Sequence, residues 1–92
     1  IPGKLSTYMF SEKPIIASIS GETKKIINEA NCGFVSEAEN YSSLADNVIK
    51  FLQLPEEEKK KLGMNAKKYV SKFFEKKKIL NSLEEEMKNL IN

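Results

Sequence analysis

Hydrophobic residues in the first part of the chain occur first at helical spacing and then in a short continuous run. Leu5, Tyr8 and Met9 follow helical spacing, which predicts a short helix over about residues 4–12. Residues 14–19 form a continuous, β-branched run that follows a proline and ends at turn residues. Such a run is typical of a strand buried on both faces of a parallel sheet. The pattern therefore predicts a helix followed by a strand.

A second helix and a second strand are predicted directly afterwards. Residues 20–22 resemble a helix start, with an N-cap candidate and an early acidic residue. The apolar face of this helix consists of Ile26, Ile27 and Ala30. Gly33 is free to adopt the left-handed conformation that ends a helix. Residues 34–35 then continue as a short strand.

A third helix completes the first part of the chain. Asn40 is a candidate N-cap for a helix that runs to about Gln53. Its apolar stripe consists of Leu44, Ala45, Val48, Ile49 and Leu52. Residues 1–54 therefore have the order α-β-α-β-α, which predicts two parallel strands joined by a right-handed crossover.

Residues 55–92 predict helices alone. Pro55 suits the first position of a helix, and residues 56–58 place three glutamates in its first turn. Gly63 is a weak point, because glycine costs about 1 kcal/mol relative to alanine inside a helix. The apolar face of this helix consists of Leu62, Ala66, Tyr69, Val70 and Phe73.

A separate last helix is predicted from about residue 75 to the end of the chain. Its apolar positions step by three and four residues, like a short heptad seam. They are Leu80, Leu83, Met87 and Leu90. The fold class is therefore α/β, with a short parallel sheet of about two strands and a helix-rich C-terminal half.

Two strands are few for a fold of this type. Doubly wound parallel sheets are usually built from about five or six strands. A two-stranded sheet would leave open edges, and open edges recruit partners. The 92-residue chain is therefore predicted to be a single partial domain and not a whole one.

Composition removes several kinds of chemistry. The chain has no histidine, so it offers no imidazole base and no ordinary zinc site. All its basic residues are lysines, and the single cysteine, Cys32, excludes an internal disulfide and a multi-thiolate metal site. The net charge of +2 is too balanced to indicate a nucleic-acid partner. We therefore expect no metal, no cofactor and no catalytic residue within this segment.

The share of charged residues is 30%, and that of hydrophobic residues is 40%. These values fit a cytosolic, helix-rich domain. No apolar run approaches the roughly 18 residues of a membrane span, and no secretory signal is visible.

Several segments together resemble glycosyltransferase family 4. Residues 2–9 (PGKLSTYM) and 13–18 (KPIIAS) are similar to that family's stretch P-S-K-L-x-E-Y-M-A-x-G-K-P-I-I-A. Residues 62–66 (LGMNA) resemble its later M-G-x-N-A-R element. Further matches follow in the family's order at residues 21–23, 26–27, 31–33, 44–45, 73–74 and 78–80. No single element would suffice, but their order and spacing cover nearly the whole chain.

The resemblance implies a retaining enzyme of the GT-B fold, in which two Rossmann-like domains face a cleft. This chain would be the distal half of the second domain, which holds the nucleotide-sugar donor. Residues 1–54 would supply its α-β-α-β-α part, and residues 55–92 its C-terminal helices. The parent enzyme would transfer a sugar to a hydroxyl acceptor, in envelope polysaccharide or glycolipid synthesis. The segment alone is expected to be inactive, because a GT-B site forms between two domains.

The resemblance also implies donor-binding residues around the start of the first helix. A helix N-terminus offers unpaired N–H groups to a diphosphate. Gly3 would allow close backbone approach, Lys4 would add a point charge, and Leu5 follows in the same motif. Thr7 stands where the family has a glutamate that hydrogen-bonds the ribose, and Glu12 replaces the glycine of G-K-P. The predicted nucleotide-sugar site therefore consists of Gly3, Lys4, Leu5 and Thr7.

Two other functions remain open at this point. A nucleotide-sugar epimerase shares the two-domain architecture, although such enzymes typically use histidine near the donor. A small helical interaction module would use the predicted heptad seam as its partner surface. Residues 14–18 discriminate, because a buried parallel strand favours the transferase and a helix favours the module.

Other residues have simpler interpretations. Cys32 is expected to be a small buried hydrophobe, and the rings of Tyr8, Tyr69, Phe73 and Phe74 are expected in the core. Residues 59–61, 76–78, 56–58 and 84–86 are expected to be solvated helix faces. The lysines could also attract an anionic membrane surface, at the inner face of the membrane. The open sheet edge and the last helix are expected to favour self-association.

Overall fold

The computed structural model describes Ile1 and residues 3–91, and these residues form an α/β arrangement. The elements are α1 (Gly3–Phe10), β1 (Ile15–Ser18), α2 (Glu22–Ala30), β2 (Gly33–Ser36), α3 (Tyr41–Leu52) and α4 (Glu56–Ile91). The predicted fold class and the predicted order of the first five elements are confirmed. The predictions of a loop at Pro2 and of a helix reaching Asn92 lie outside the described residues.

The two strands pair in parallel, as the sequence pattern predicts. The register runs from Ile15 opposite Gly33 to Ser18 opposite Ser36. All four residues of β1 are half-buried instead of fully buried. The reason is the width of the sheet, because two strands leave one edge of β1 open. A strand at this place favours the transferase over the helical interaction module.

The hydrophobic core lies between one face of the sheet and three helices. Side chains alternate between the faces of a strand. Ile15, Ala17 and Val35 therefore share one face, where they pack against the core. The core itself consists of Leu5, Met9, Ile26, Ile27, Ala30, Cys32, Ala66 and Val70. Each large side chain buried in this way contributes roughly 1.5–3 kcal/mol.

The turn between α2 and β2 differs from the prediction. Asn31, not Gly33, adopts the left-handed conformation after α2, with φ of 52°. Asparagine tolerates this region better than most residues do. Gly33 begins β2 instead, and a Cβ atom there would overlap the backbone carbonyl oxygen of Ile15. Close approach of the two strands therefore requires this glycine.

The two helices α2 and α3 differ in how their N-termini are capped. The N-cap of α2 is Gly21, with φ of 80°, and no side chain caps the helix. Asn40 caps α3 as predicted, because its Oδ1 accepts a hydrogen bond of 3.1 Å from the N–H of Ser43. A cap of this kind contributes about 1 kcal/mol.

Most of the predicted apolar stripe of α3 faces away from the protein. This helix contacts both strands, yet none of its residues is fully buried. Within the stripe only Leu44 is half-buried, and Leu52 is 64% exposed. The stripe is exposed because two strands are too narrow to cover the apolar side of the helix.

The C-terminal half is one helix of 36 residues and not two. The prediction of a separate last helix was wrong, since no proline or glycine follows Gly63 to interrupt the backbone. Pro55 precedes the helix, and its carbonyl oxygen accepts from the N–H of Glu58 and of Lys59. Lys59 is half-buried, because its ammonium lies 5.3 Å from the centre of the Phe51 ring.

Gly63 is a point of contact and not a weak point in α4. It is buried, and a Cβ atom would lie 2.8 Å from the backbone carbonyl carbon of Glu12. The loop between α1 and β1 therefore rests on the bare backbone of α4. Ala66 and Val70, which follow on the same side of the helix, are fully buried.

The aromatic side chains are less buried than predicted. Tyr69 packs against the core as expected. Tyr8 is 58% exposed, so its placement in the core was wrong. Phe73 and Phe74 are also exposed, and the ring of Phe74 lies 5.7 Å from that of Phe10 on the surface. Cys32 is fully buried, as predicted.

From residue 72 onwards, every described residue of α4 is exposed. The predicted heptad seam therefore has no partner within the described chain. In the described part of the chain, no helix combines the length and the apolar content of a membrane span.

Candidate functional site

A groove of about 590 Å³ runs along the free edge of β1. Its walls come from α1 and α2, and β1 forms its floor. The apolar part includes Leu5, Pro14, Ile15, Ile16, Ala17, Ile19 and Ile27. The polar part consists of Lys4, Tyr8, Ser11, Lys13 and Thr23. The groove is thus an apolar trough with hydroxyl groups and two ammonium groups along it.

The backbone of β1 presents hydrogen-bonding groups to this groove. The N–H of Ile15 donates to the backbone carbonyl oxygen of Cys32 at 3.0 Å, and the N–H of Ile19 donates to that of Ser36 at 2.9 Å. Alternate residues of a parallel strand direct their peptide groups to opposite sides. The peptide groups of Ile16 and Ser18 therefore point away from β2. Among the described residues no strand pairs with β1 on that side.

The start of α1 lies near the end of β1 where a parallel sheet usually binds its ligand. Only residues 11–14 separate α1 from β1, so the helix runs back along the strand. Lys4 and Ile19 consequently line the same groove. The N–H groups of Gly3, Lys4 and Leu5 have no partners within the helix, because an α-helix leaves its first donors unpaired.

The first turn of α1 favours an anion. It carries Lys4 and no acidic residue. By contrast, α2 begins with Glu22, and α4 begins with three glutamates that offset the helix dipole. The dipole and the ammonium of Lys4 therefore act in the same direction at this end of the groove.

The structure brings only part of the predicted site together. The side chains of Lys4 and Leu5 line the groove, although Leu5 is mainly a core residue. Gly3 starts the helix, with no atom within 4 Å of the place a Cβ would occupy. Thr7 is exposed and does not line the groove. Its hydroxyl instead donates to the carbonyl oxygen of Gly3 at 3.2 Å.

Tyr8 and Lys13 are groove residues that the sequence analysis missed as candidates. Tyr8 follows Lys4 by one helical turn, so the spacing that places them on one side was visible in the sequence. The apolar ring led to its assignment to the core. Lys13 carried no comparable signal, because its place beside the groove depends on the path of the loop before β1.

A polar cluster joins the loops that follow the two strands. The carboxylate of Glu37 accepts hydrogen bonds from the ammonium of Lys24 and from the hydroxyl of Ser20, the latter at 2.7 Å. The same hydroxyl accepts from the N–H of Ala38 at 3.1 Å, and that of Ser18 donates to the carbonyl of Glu37 at 2.7 Å. The hydrogen bond from Lys24 is the main cause that lowers the pKa of Glu37, and that from Ser20 lowers it further.

This cluster stabilises the loop around Gly21 at the carboxyl end of the sheet. This cluster was not predicted, although polar residues directly after buried strands are a usable signal. The neighbouring hydroxyl of Ser36 is buried and has no hydrogen-bond partner among the described residues.

Two further groups have altered acidity for structural reasons. Burial raises the pKa of the Cys32 thiol. Partial burial and the nearby carboxylate of Glu29 raise the pKa of Tyr69, whose hydroxyl donates to Glu29 at 3.3 Å. Both groups remain protonated at neutral pH, so neither is a nucleophile. Within the described residues no cluster of acidic or cysteine side chains could hold a metal ion.

Comparison with known proteins gives one family. The family model described as "Glycosyl transferases group 1" matches residues 4–69, more than two thirds of the chain. No curated protein and no solved structure matches the chain significantly. The matched residues include α1 from its second residue onwards, both strands, the groove and the first part of α4. The chain therefore belongs to the group 1 glycosyltransferase family.

Proposed function

We propose that this chain is the distal part of the donor-binding domain of a retaining, GT-B-type glycosyltransferase of family 4. The enzyme would transfer a sugar from a nucleotide-sugar donor to a hydroxyl acceptor. The observation that carries the proposal is the family match over residues 4–69. A donor site there is further supported by Lys4, which lines the same groove as Ile19, the residue directly after β1.

In this proposal the start of α1 holds the diphosphate of the donor. The N–H groups of Gly3, Lys4 and Leu5 would donate to phosphate oxygens, and the ammonium of Lys4 would balance their charge. As the bond from sugar to phosphate breaks, negative charge accumulates on the leaving diphosphate. The same groups would stabilise that charge, which is a contribution to catalysis that needs no base in this segment.

Thr7 would contact the ribose with a hydroxyl group in place of a carboxylate. Its hydroxyl already donates to the carbonyl oxygen of Gly3, and the side chain is shorter than the glutamate of the related pattern. As an acceptor, however, the hydroxyl oxygen remains available. We propose that the Thr7 hydroxyl oxygen accepts a hydrogen bond from a ribose hydroxyl while it still donates its own hydrogen to the Gly3 carbonyl oxygen.

Two surfaces support the proposal that a wider sheet completes the domain. The peptide groups of Ile16 and Ser18 point away from β2, and Ile16 lines the apolar groove, as it would beside another strand. The exposed stripe of α3 has the composition of a helix that covers more strands than two. A second domain would then bind the acceptor, which we propose to be an envelope polysaccharide or glycolipid precursor at the cytoplasmic face of a membrane. The exposed lysines 76–78 would favour anionic lipid there.

Calorimetric titration with UDP, GDP and ADP tests the donor site on the 92-residue chain. We expect one of the three to bind more tightly than its nucleoside, because the site is proposed to contact the diphosphate. Lys4→Gln should weaken that binding by about three- to fivefold, the upper end of the range for one partly solvated charge contact. The matched variant Lys50→Gln, on the exposed side of α3, should leave it within about twofold. Equal effects of the two variants would contradict the proposal.

A further inference from the structure

The loop between β1 and α2, residues 19–21, borders the groove. Ile19 directly follows β1, and Thr23 lies in the first turn of α2. Both residues line the groove, as does Lys4 of the proposed donor site. The conformation of this loop therefore determines where Ile19 and Thr23 lie relative to Lys4.

Interactions within the loop do not determine its conformation. Gly21 is the N-cap of α2 with φ of 80°, and no side chain caps the helix. Glycine adopts positive and negative φ about equally readily, so it does not select one path for the chain. Ser20 is a residue type that caps helices, but its hydroxyl bonds to another loop instead. Contacts from elsewhere in the chain must therefore fix the loop.

The main contact comes from Glu37, which directly follows β2. Its carboxylate accepts a hydrogen bond of 2.7 Å from the hydroxyl of Ser20. It also accepts one from the ammonium of Lys24, in the first turn of α2. These two donors lie on either side of Gly21 in the chain. One carboxylate thus holds both flanks of the flexible glycine.

Backbone groups add two further links between the same loops. The N–H of Ala38 donates to the hydroxyl of Ser20 at 3.1 Å. The N–H of Ile19 donates to the carbonyl oxygen of Ser36 at 2.9 Å. Ser20 therefore both donates to and accepts from the loop that follows β2. Its replacement would remove two contacts at once.

We propose that Glu37 is a positioning residue of the donor site. It is not among the described residues that line the groove, so it acts through the loop. By holding Ser20 and Lys24, it keeps the loop in one conformation. That conformation places Ile19 and Thr23 beside the donor. This inference rests on the proposed function, because it concerns the affinity of that site.

Two simpler roles for Glu37 make different predictions. An exposed ion pair that only stabilises the fold would leave the affinity for a ligand unchanged. A carboxylate that acts only through its charge would repel a diphosphate, so its removal would tighten binding. A positioning role predicts weaker binding when Glu37 is removed. The sign of the change in affinity therefore separates the three roles.

Titration of the ¹⁵N-labelled 92-residue chain with UDP, GDP and ADP tests the proposal. Ser20→Ala and Glu37→Ala should each weaken binding of the best of the three by about two- to fivefold, the effect of one or two lost hydrogen bonds. The ligand-induced shifts at Ile19 and Thr23 should decrease, whereas those at Lys4 should persist. Both substituted positions are exposed, so the variants should remain folded, which urea unfolding verifies.

Two variants serve as matched controls. Ser20→Thr keeps the hydroxyl and should bind within about twofold of the original chain. Glu39→Gln removes one negative charge from the same loop as Glu37, and it should not weaken binding. Without ligand, the amide hydrogen of Ile19 should exchange at least about threefold faster in Ser20→Ala, because the loop opens more often.

The outcomes separate this inference from the proposed function. Unchanged or tighter binding by Ser20→Ala and Glu37→Ala, with Lys4→Gln still weakening it, would overturn the positioning role and leave the donor site in place. Unchanged exchange of the Ile19 amide would also overturn the positioning role. If none of the three nucleotides binds the original chain, the donor site is wrong and the role of Glu37 in it is overturned as well.

Discussion

At the scale of single residues, the absence of a side chain determines two of the closest contacts in the fold. Gly33 lets the two strands approach at Ile15, and Gly63 lets the loop at Glu12 rest on α4. The sequence pattern predicted other roles for these glycines: a helix cap for Gly33 and a weak point in a helix for Gly63. Nothing in the sequence around either glycine indicates a close contact. Glycine is required because backbone atoms of residues distant along the chain approach it. Local pattern could not have found them.

Replacing Gly63 tests this contact through the sign of its effect. Helix propensity alone predicts that Gly63→Ala stabilises the protein by about 1 kcal/mol. The overlap with the Glu12 backbone predicts the opposite, a loss of about 1–3 kcal/mol. The free energy of unfolding in urea measures the difference. Gly3→Ala is the control, because its added methyl group meets open space and should not destabilise the protein.

Cys32 makes the stability depend on pH in the alkaline range. Burial raises the pKa of its thiol, so the folded protein keeps the proton that the unfolded chain loses above about pH 8.5. Its contribution is therefore complete below that pH and is lost as pH rises towards the higher pKa of the folded state.

Urea unfolding between pH 7 and 10 of the original chain and of Cys32→Ala measures this contribution. The free energy of unfolding should fall more steeply with pH in the original chain than in the variant. Tyr69 also has a raised pKa, but it is present in both proteins and its effect cancels in the comparison. Parallel curves for the two proteins would show that the thiol is not protected by burial.

At the scale of elements, the sequence predicts whether each element is a helix or a strand. It predicts less well which other elements each one packs against. The order of the first five elements, the parallel strands and the Asn40 cap all follow from local pattern. The exposed stripe of α3 does not, because its burial depends on how many strands lie beneath it. The seam of distal α4 was correctly identified as a surface, since its spacing is independent of the rest of the fold.

The continuity of α4 is the clearest difference at this scale. A change in the apolar pattern near residue 75 suggested two helices, but nothing in the sequence interrupts the backbone there. Backbone chemical shifts for residues 70–80 should therefore be helical without a break. Shifts typical of a loop at any three consecutive residues in this range would restore the two-helix interpretation.

At the scale of the whole molecule, the residues that the structure describes form one small core and leave three apolar surfaces exposed. The groove on β1 and the stripe of α3 are adjacent to the sheet and fit the proposed wider domain. The seam of α4 lies apart from them, on the exposed distal part of that helix. The sequence alone predicted that apolar surface would be left open, and the structure assigns that surface to particular residues.

Part of the predicted donor site could be identified from the sequence. Lys4 and Leu5 follow from motif spacing, and the structure places them beside the groove. Tyr8 and Lys13 become neighbours of Lys4 only through the path of the chain between α1 and β1. The internal hydrogen bond of Thr7 was likewise invisible, because it depends on the local helix geometry.

The central claim is that α1 and the carboxyl end of β1 bind the diphosphate of a nucleotide-sugar donor. Titrating the ¹⁵N-labelled chain with the nucleoside diphosphate that binds best tests it most directly, with the amide resonances of the chain as the readout. We predict that the largest shifts occur at Gly3, Lys4 and Leu5 and at Ile19, and that Lys4→Gln reduces them. Shifts confined to the distal part of α4, or no shifts at millimolar ligand, would contradict the account.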